Sequence, residues 1–228
     1  RHGYHALTYG HLIGEMVRRV SGQTIGQYFN EKIAEPLNLD FWIGLPDEQF
    51  DKVTDIQPSI FPLWTRMISP FFKMIPKSFL RGDLALIKDF YDPKTIAGSA
   101  FNNPKMEIKN PFYANTREWR KAEIPAANGH GSARAIAKFY GVLSNGGNRD
   151  GVHLLSPETI DIARQTESEG ADLVLANLQT RFGLGFMLGS KDISMGPAKG
   201  AFGHGGAGGS LGFGDPDNHV SIGFVMNQ

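Results

Sequence analysis

The chain has 228 residues, of which 23 are basic and 23 acidic, for a formal net charge of +0. With no net field there is no pull toward nucleic acid, a membrane surface or a polyanionic substrate, and the absence of cysteine excludes disulfides, thiol catalysis and cysteine-ligated metals. Glycine at 28 residues and aromatics at 11% suit a packed globular enzyme better than a disordered chain.

Both ends read as those of an internal fragment. Arg1-His2-Gly3-Tyr4 has neither an initiator Met nor the apolar core of a signal peptide, and the chain stops at Asn227-Gln228, directly after an apolar strand pattern. Leu12, Ile13, Met16, Val17 and Val20 recur at helical spacing with Glu15, Arg18 and Arg19 opposite. This predicts a helix that turns its apolar side inward and ends at Gly22. Thr24-Ile25-Gly26-Gln27 reads as a capping box. It opens a second helix, with Ile25, Tyr28, Phe29 and Ile33 inward, that stops before Pro36. Leu37 to Pro46, with Phe41, Trp42 and Ile43 adjacent, reads as a buried linker rather than a strand.

Residues 58–79 are rich in large apolar side chains. Pro62, Pro70 and Pro76, with Arg66, Lys73 and Lys77 between them, break up the roughly 20 apolar residues that a transmembrane helix requires, so no integral membrane segment is expected. The stretch is an insertion packed on the core, a hydrophobic lid or substrate wall, or an element lying on a membrane surface. Leu84 to Phe90 is a short helix candidate, and Asp92 to Pro125 is loop-like. Ser132 can cap a helix carrying Ala133, Ile136, Ala137, Tyr140 and Leu143 that ends at Gly146-Gly147. Ser156-Pro157-Glu158 is a helix start with a cap, a Pro at the first position and an acid in the first turn. From Phe182 onward strands dominate, with apolar segments Phe182 to Leu188 and Val220 to Met226. There is no internal repeat.

Between those segments runs Phe202-Gly203-His204-Gly205-Gly206-Ala207-Gly208-Gly209-Ser210-Leu211-Gly212-Phe213. Glycine in a strand marks a close backbone approach or a bulge. Here it would expose backbone N–H groups beside an imidazole, which is one half of an acyl-transfer site. The plainer alternative is a glycine-rich hairpin with an exposed histidine. His5, His11, His130, His153 and His219 show no zinc-ligand spacing, so neither a metal nor a cofactor is expected.

Four motifs in order give the chain a family likeness. Tyr4-His5-Ala6-Leu7-Thr8-Tyr9-Gly10 through Arg18-Arg19-Val20-Ser21-Gly22 resembles the tyrosine motif and following helix of the serine β-lactamase-like superfamily, on the branch of class C β-lactamases and family VIII carboxylesterases. Glu35-Pro36-Leu37-Asn38-Leu39-Asp40 is similar to its helix exit, and Asn128-Gly129-His130-Gly131-Ser132-Ala133 through Asn145-Gly146-Gly147 to a helix and turn of the same family. Gly129 and Gly131 read as a turn before that helix rather than a phosphate cradle, since no Lys-Ser/Thr follows. His204-Gly205-Gly206 stands at its third motif.

The resemblance implies an α/β (α+β) fold with helices packed on an antiparallel sheet, incomplete at both ends. One incomplete domain divides into a helical part at 1–57, an insertion and loop region at 58–125, helices at 126–181 and sheet strands at 182–228. Also implied are acyl-enzyme chemistry on a small-molecule ester or amide and catalytic roles for Tyr4, with Tyr9 as its rival, and for His204. The oxyanion would be held by Gly205, Gly206 and the N–H of Ala207. Ala6 stands where the family has an amide-bearing Asn, and His204 where β-lactamases have Lys, which together favour esters. The family's Ser-x-x-Lys nucleophile motif is missing, since no serine in the chain is followed three residues later by lysine. Phe186, Leu188, Ile222 and Phe224 are expected to form an uncovered apolar sheet face.

Overall fold

The computed structural model describes residues 1–57, 75–76, 79, 88–89, 92–101, 113–206 and 208–227. Most of 58–79, and most of the helix expected over Leu84 to Phe90, lie outside them. Helix α1 (Thr8–Ser21) ends as expected at Gly22, whose φ of 76° suits only a residue without Cβ and whose N–H donates to the Arg18 carbonyl. Its apolar stripe does not turn inward. Leu12, Met16 and Val20 are 58%, 61% and 90% exposed. The buried face carries Gly10 and Gly14 instead, where a Cβ on Gly10 would stand 2.7 Å from the Ala126 nitrogen. Backbone-to-backbone approach at the glycines decides which side of the helix docks.

The capping box forms as read, with Gln27 N–H donating to Thr24 Oγ1 and Thr24 N–H to Gln27 Oε1. Glu123 closes the same helix end, accepting from Thr24 Oγ1 at 2.7 Å and from Gly26 N–H at 2.9 Å. Helix α2 (Ile25–Phe29) passes through a π-helical turn (Asn30–Ala34) into α3 (Glu35–Leu37), so the helix does not stop before Pro36. The wide turn shifts the bonding by one residue and Pro36 enters at the start of the next turn, where its missing N–H costs nothing.

Strand β1 (Phe41–Ile43) pairs antiparallel with β2 (Gly129–Gly131), which corrects the linker reading. The two glycines are strand residues rather than turn residues. A Cβ at Gly129 or Gly131 would fall 2.6 or 2.4 Å from the Phe41 ring, so both exist to admit that ring. The region 92–125 is not all loop: it holds α4 (Ile96–Phe101) and α5 (Arg117–Lys121), the latter capped by Thr116. Ser132 caps α6 (Ala133–Ser144), and β3 (Asn148–Arg149) and β4 (Val152–His153) follow as a small hairpin. Ser156 caps α7 (Pro157–Ala163).

Among the described residues the main sheet is a six-stranded antiparallel meander in the order β10-β9-β8-β7-β6-β5. Its strands are β5 (Ser168–Ala171), β6 (Gln179–Phe182), β7 (Met187–Leu188), β8 (Phe202–Gly205), β9 (Leu211–Asp215) and β10 (Val220–Phe224). The sheet therefore begins at Ser168, earlier than the expected 182. Phe182 to Leu188 is a hairpin rather than one strand, closed by Gly183 N–H to the Phe186 carbonyl. Helix α6 lies on β9 and β10 across Gly212, Gly214 and Gly223, where added Cβ atoms would meet Tyr140, Ser144 or the Ala133 carbonyl at 2.2 to 2.5 Å. Leu188 is buried with Phe202, Leu143 and Ile160, and Phe186 packs on that cluster. Of the expected uncovered face, only Ile222 and Phe224 are exposed. No helix among the described residues is long and apolar enough to cross a membrane.

Candidate functional site

The segment ahead of α1 has no regular structure, and the sheet holds it in place. Tyr4 N–H donates to Asp172 Oδ1 at 3.1 Å. The Tyr4 ring stacks on Phe182 of β6 (5.9 Å between centroids, 8° between planes) and leans on His204 of β8 (5.7 Å, 35°). Tyr4 and His204, 200 residues apart in sequence, therefore meet at one place. Tyr9 is exposed on α1, with its hydroxyl beside Gly185. Ala6 is mostly buried, and its remaining surface lines a cleft beside Tyr4.

Burial, and after it the Asp172 carboxylate, push the Tyr4 hydroxyl above the ordinary phenol range. At neutral pH Tyr4 is thus a proton donor. It becomes a base only if a cation is brought to it. His204 Nδ1 lies 2.6 Å from the Gly205 carbonyl, which can only accept, so Nδ1 carries the proton. In the neutral ring the lone pair is then on Nε2, which can accept a proton.

Gly206 N–H donates to the Ser210 carbonyl at 2.7 Å and closes the β8–β9 hairpin, so it is committed to the turn rather than to a ligand. Antiparallel alternation then turns Gly205 N–H away from β9. On that side β7 pairs with β8 only at Gly203 and Phe202, so Gly205 stands beyond the end of the ladder. Ala207 lies outside the described residues. Beside Tyr4 is a shallow cleft of about 260 Å³, walled by Gly3, Ala6, Ser99 and Val174 among others. It is slightly smaller than the roughly 300 Å³ at which small-molecule pockets begin.

Three residues that the sequence did not mark complete the picture. Asp172, with none of its surface exposed, accepts from the N–H groups of Tyr4, Val174 and Leu175 and from Thr180 Oγ1. His2 bridges Thr180 Oγ1 and Ser168 Oγ, both at 2.6 Å. The signal for Asp172 was an acid set in the apolar run Ala171-Asp172-Leu173-Val174; for His2 and Thr180 there was none.

Residues 1–228 match the family model described as Beta-lactamase. The chain is 31% identical over 229 residues to Esterase/beta-lactamase LipL of Mycobacterium tuberculosis, covering 99% of this chain and 48% of that protein. Among solved structures it is similar to a penicillin-binding protein homolog from Caulobacter crescentus (39% identity, TM-score 0.74, 99% of this chain and 52% of that one). It is also similar to a family VIII carboxylesterase (35%, 0.75, 99% and 52%) and to EstA from Arthrobacter nitroguajacolicus Rue61a (29%, 0.76, 97% and 52%). The chain spans about half the length of the relatives it matches. By its family match and its fold, the chain belongs to the beta-lactamase family.

Proposed function

We propose that this chain supplies the tyrosine-and-sheet side of an acyl-transfer site in a serine hydrolase that acts on carboxylic esters. The observation that carries this reading is the meeting of Tyr4 with His204 at the end of β8. In this reading a serine Oγ, with its lysine partner, comes from residues outside 1–228. Oγ bonds to the ester carbonyl carbon, the C–O bond to the alcohol breaks, and the serine proton passes by way of Tyr4 to the departing alkoxide. Water then releases the acid by the reverse proton path. Gly205 N–H, and that of Ala207, serve as candidate donors to the oxyanion. His204 Nε2 accepts from Tyr4 or from the water that attacks the acyl-enzyme.

Three features support an ester over a β-lactam. Ala6 is buried and offers no amide. His204 stands where a fixed cation would hold a β-lactam carboxylate. The apolar composition of 58–79 suits an acyl chain, whose methylenes are each worth about 0.8 kcal/mol when buried. The test compares kcat/KM of the full-length protein for p-nitrophenyl butyrate and for nitrocefin. The ester is expected to win by at least tenfold. Equal or better turnover of nitrocefin would move the reading to a β-lactamase, and no acyl adduct with either compound would leave a binding scaffold.

A further inference from the structure

We propose that Asp172 is a positioning residue for Tyr4, acting directly through the Tyr4 N–H and indirectly through Thr180 and His2; the inference rests on the function proposed above. A buried carboxylate is expensive unless its oxygens are satisfied. The bonds from Val174 and Leu175 are local, within three residues of Asp172, and account for a turn. Two others are not local. One fixes the Tyr4 backbone from 168 residues away, and the other, at Oδ2, holds the Thr180 hydroxyl.

The proton direction along this second branch follows from donor chemistry. Asp172 can only accept, so the Thr180 hydroxyl donates to it at 3.1 Å. Thr180 Oγ1 therefore accepts from His2 Nε2–H at 2.6 Å. Neutral His2 is left with a bare Nδ1, which accepts from Ser168 Oγ–H. His2 also hydrogen-bonds through its carbonyl to Leu173 N–H at 3.2 Å, and its ring leans on Phe182, the ring on which Tyr4 stacks. The segment carrying Tyr4 is thus held at its backbone by Asp172 and at its ring by Phe182, against which the His2 ring also leans. A catalytic group must be placed to within a fraction of an ångström to work, and a 1 Å error can cost roughly 10²-fold.

Asp172→Asn in the full-length protein is the test. The amide oxygen can still accept the three N–H bonds and keep the turn, but the amide nitrogen donates where Oδ2 accepted. Thr180 then has to accept there, and the chain through His2 reverses. Expected are a switch of His2 from the Nε2–H to the Nδ1–H form in imidazole nitrogen NMR, and a shifted Tyr4 amide resonance. For p-nitrophenyl butyrate, kcat should fall at least tenfold with KM within about threefold, since alignment rather than binding is lost. Thr180→Val should reproduce the kcat loss, and Thr180→Ser, which keeps the hydroxyl, should restore it; this pair serves as the activity test if Asp172→Asn does not fold. Unchanged His2 and Tyr4 resonances, a kcat within twofold of wild type, or an equal loss in Thr180→Ser each overturn the proposal. If the wild type hydrolyses no ester, the function reading fails, and the two NMR signatures alone decide whether Asp172 positions Tyr4.

Discussion

Burial raises the hydroxyl pKa of two tyrosines, Tyr4 in the proposed site and Tyr140 against the core. Tyr4 is held as a phenol by burial and by Asp172. Its removal in Tyr4→Phe is expected to lower kcat of the full-length protein by roughly 10²-fold, the scale of a positioned proton-transfer group. Tyr9→Phe, altering an exposed side chain, should change kcat less than twofold; the opposite ranking in steady-state kinetics would transfer the role to Tyr9. Tyr140, on the sheet-facing side of α6, is pushed up to about 12 by burial. The folded state therefore holds this proton more tightly than the unfolded chain does. Its contribution is complete below about pH 10 and lost as pH rises toward 12. Two units correspond to roughly 3 kcal/mol. Tyrosinate absorbance should show a late step that Tyr140→Phe removes, together with a weaker loss of stability at high pH. Tyr4 and His204 were readable because each sits in a short motif. The bond from Tyr4 to Asp172 was not, because it joins positions 168 residues apart that no local pattern connects.

At the level of elements, local chemistry was readable and long-range partners were not. Thr24, Ser132 and Ser156 each accept the N–H three residues on, as their sequence contexts imply. Strands β1 and β2, three residues each, exist only through one another. The docking side of α1 was misread because its apolar periodicity outweighs Gly10 and Gly14 in any pattern count. Glycine also governs the seat of α6. A Cβ at Gly223 would lie 2.2 Å from the Ala133 carbonyl and 2.7 Å from the Ala137 nitrogen, both backbone atoms of α6 that cannot yield without moving the helix. Gly223→Ala is therefore expected to cost about 3 kcal/mol, at the upper end of ordinary overpacking. At Gly205 a Cβ would meet nothing within 4 Å, so Gly205→Ala should leave the midpoint unchanged. Denaturant melts of the two variants decide the matter, and equal midpoints would mean that α6 sits higher on the sheet.

Across the whole molecule, two groups stand out among the exposed apolar side chains of the described residues because their members are aligned. Single exposed apolar residues need no explanation, but contiguous ones do. Leu12, Met16 and Val20 line one side of α1, and Val220, Ile222 and Phe224 alternate along one face of β10. Full burial of such a side chain is worth about 1.5–3 kcal/mol. Three partly exposed residues thus offer roughly 4 kcal/mol, at the low end of the 4–15 kcal/mol cost of association. The α1 stripe alone gives at most weak dimerisation. Strand β10 adds a second contribution, because among the described residues it is the outermost strand of the sheet and carries backbone groups able to pair with another strand. The opposite edge, β5, is short and polar (Ser168–Ala171) and offers far less. Self-association of the 228-residue chain should accordingly run through β10. Light scattering is expected to show a mass that rises with concentration. Phe224→Lys, which places a charge on that edge, should suppress the rise strongly, and Val20→Lys only slightly. Equal suppression by both would make the helix stripe an equal partner, and a constant monomer mass in the unaltered chain would mean that neither surface is sticky enough to outweigh the entropy of association.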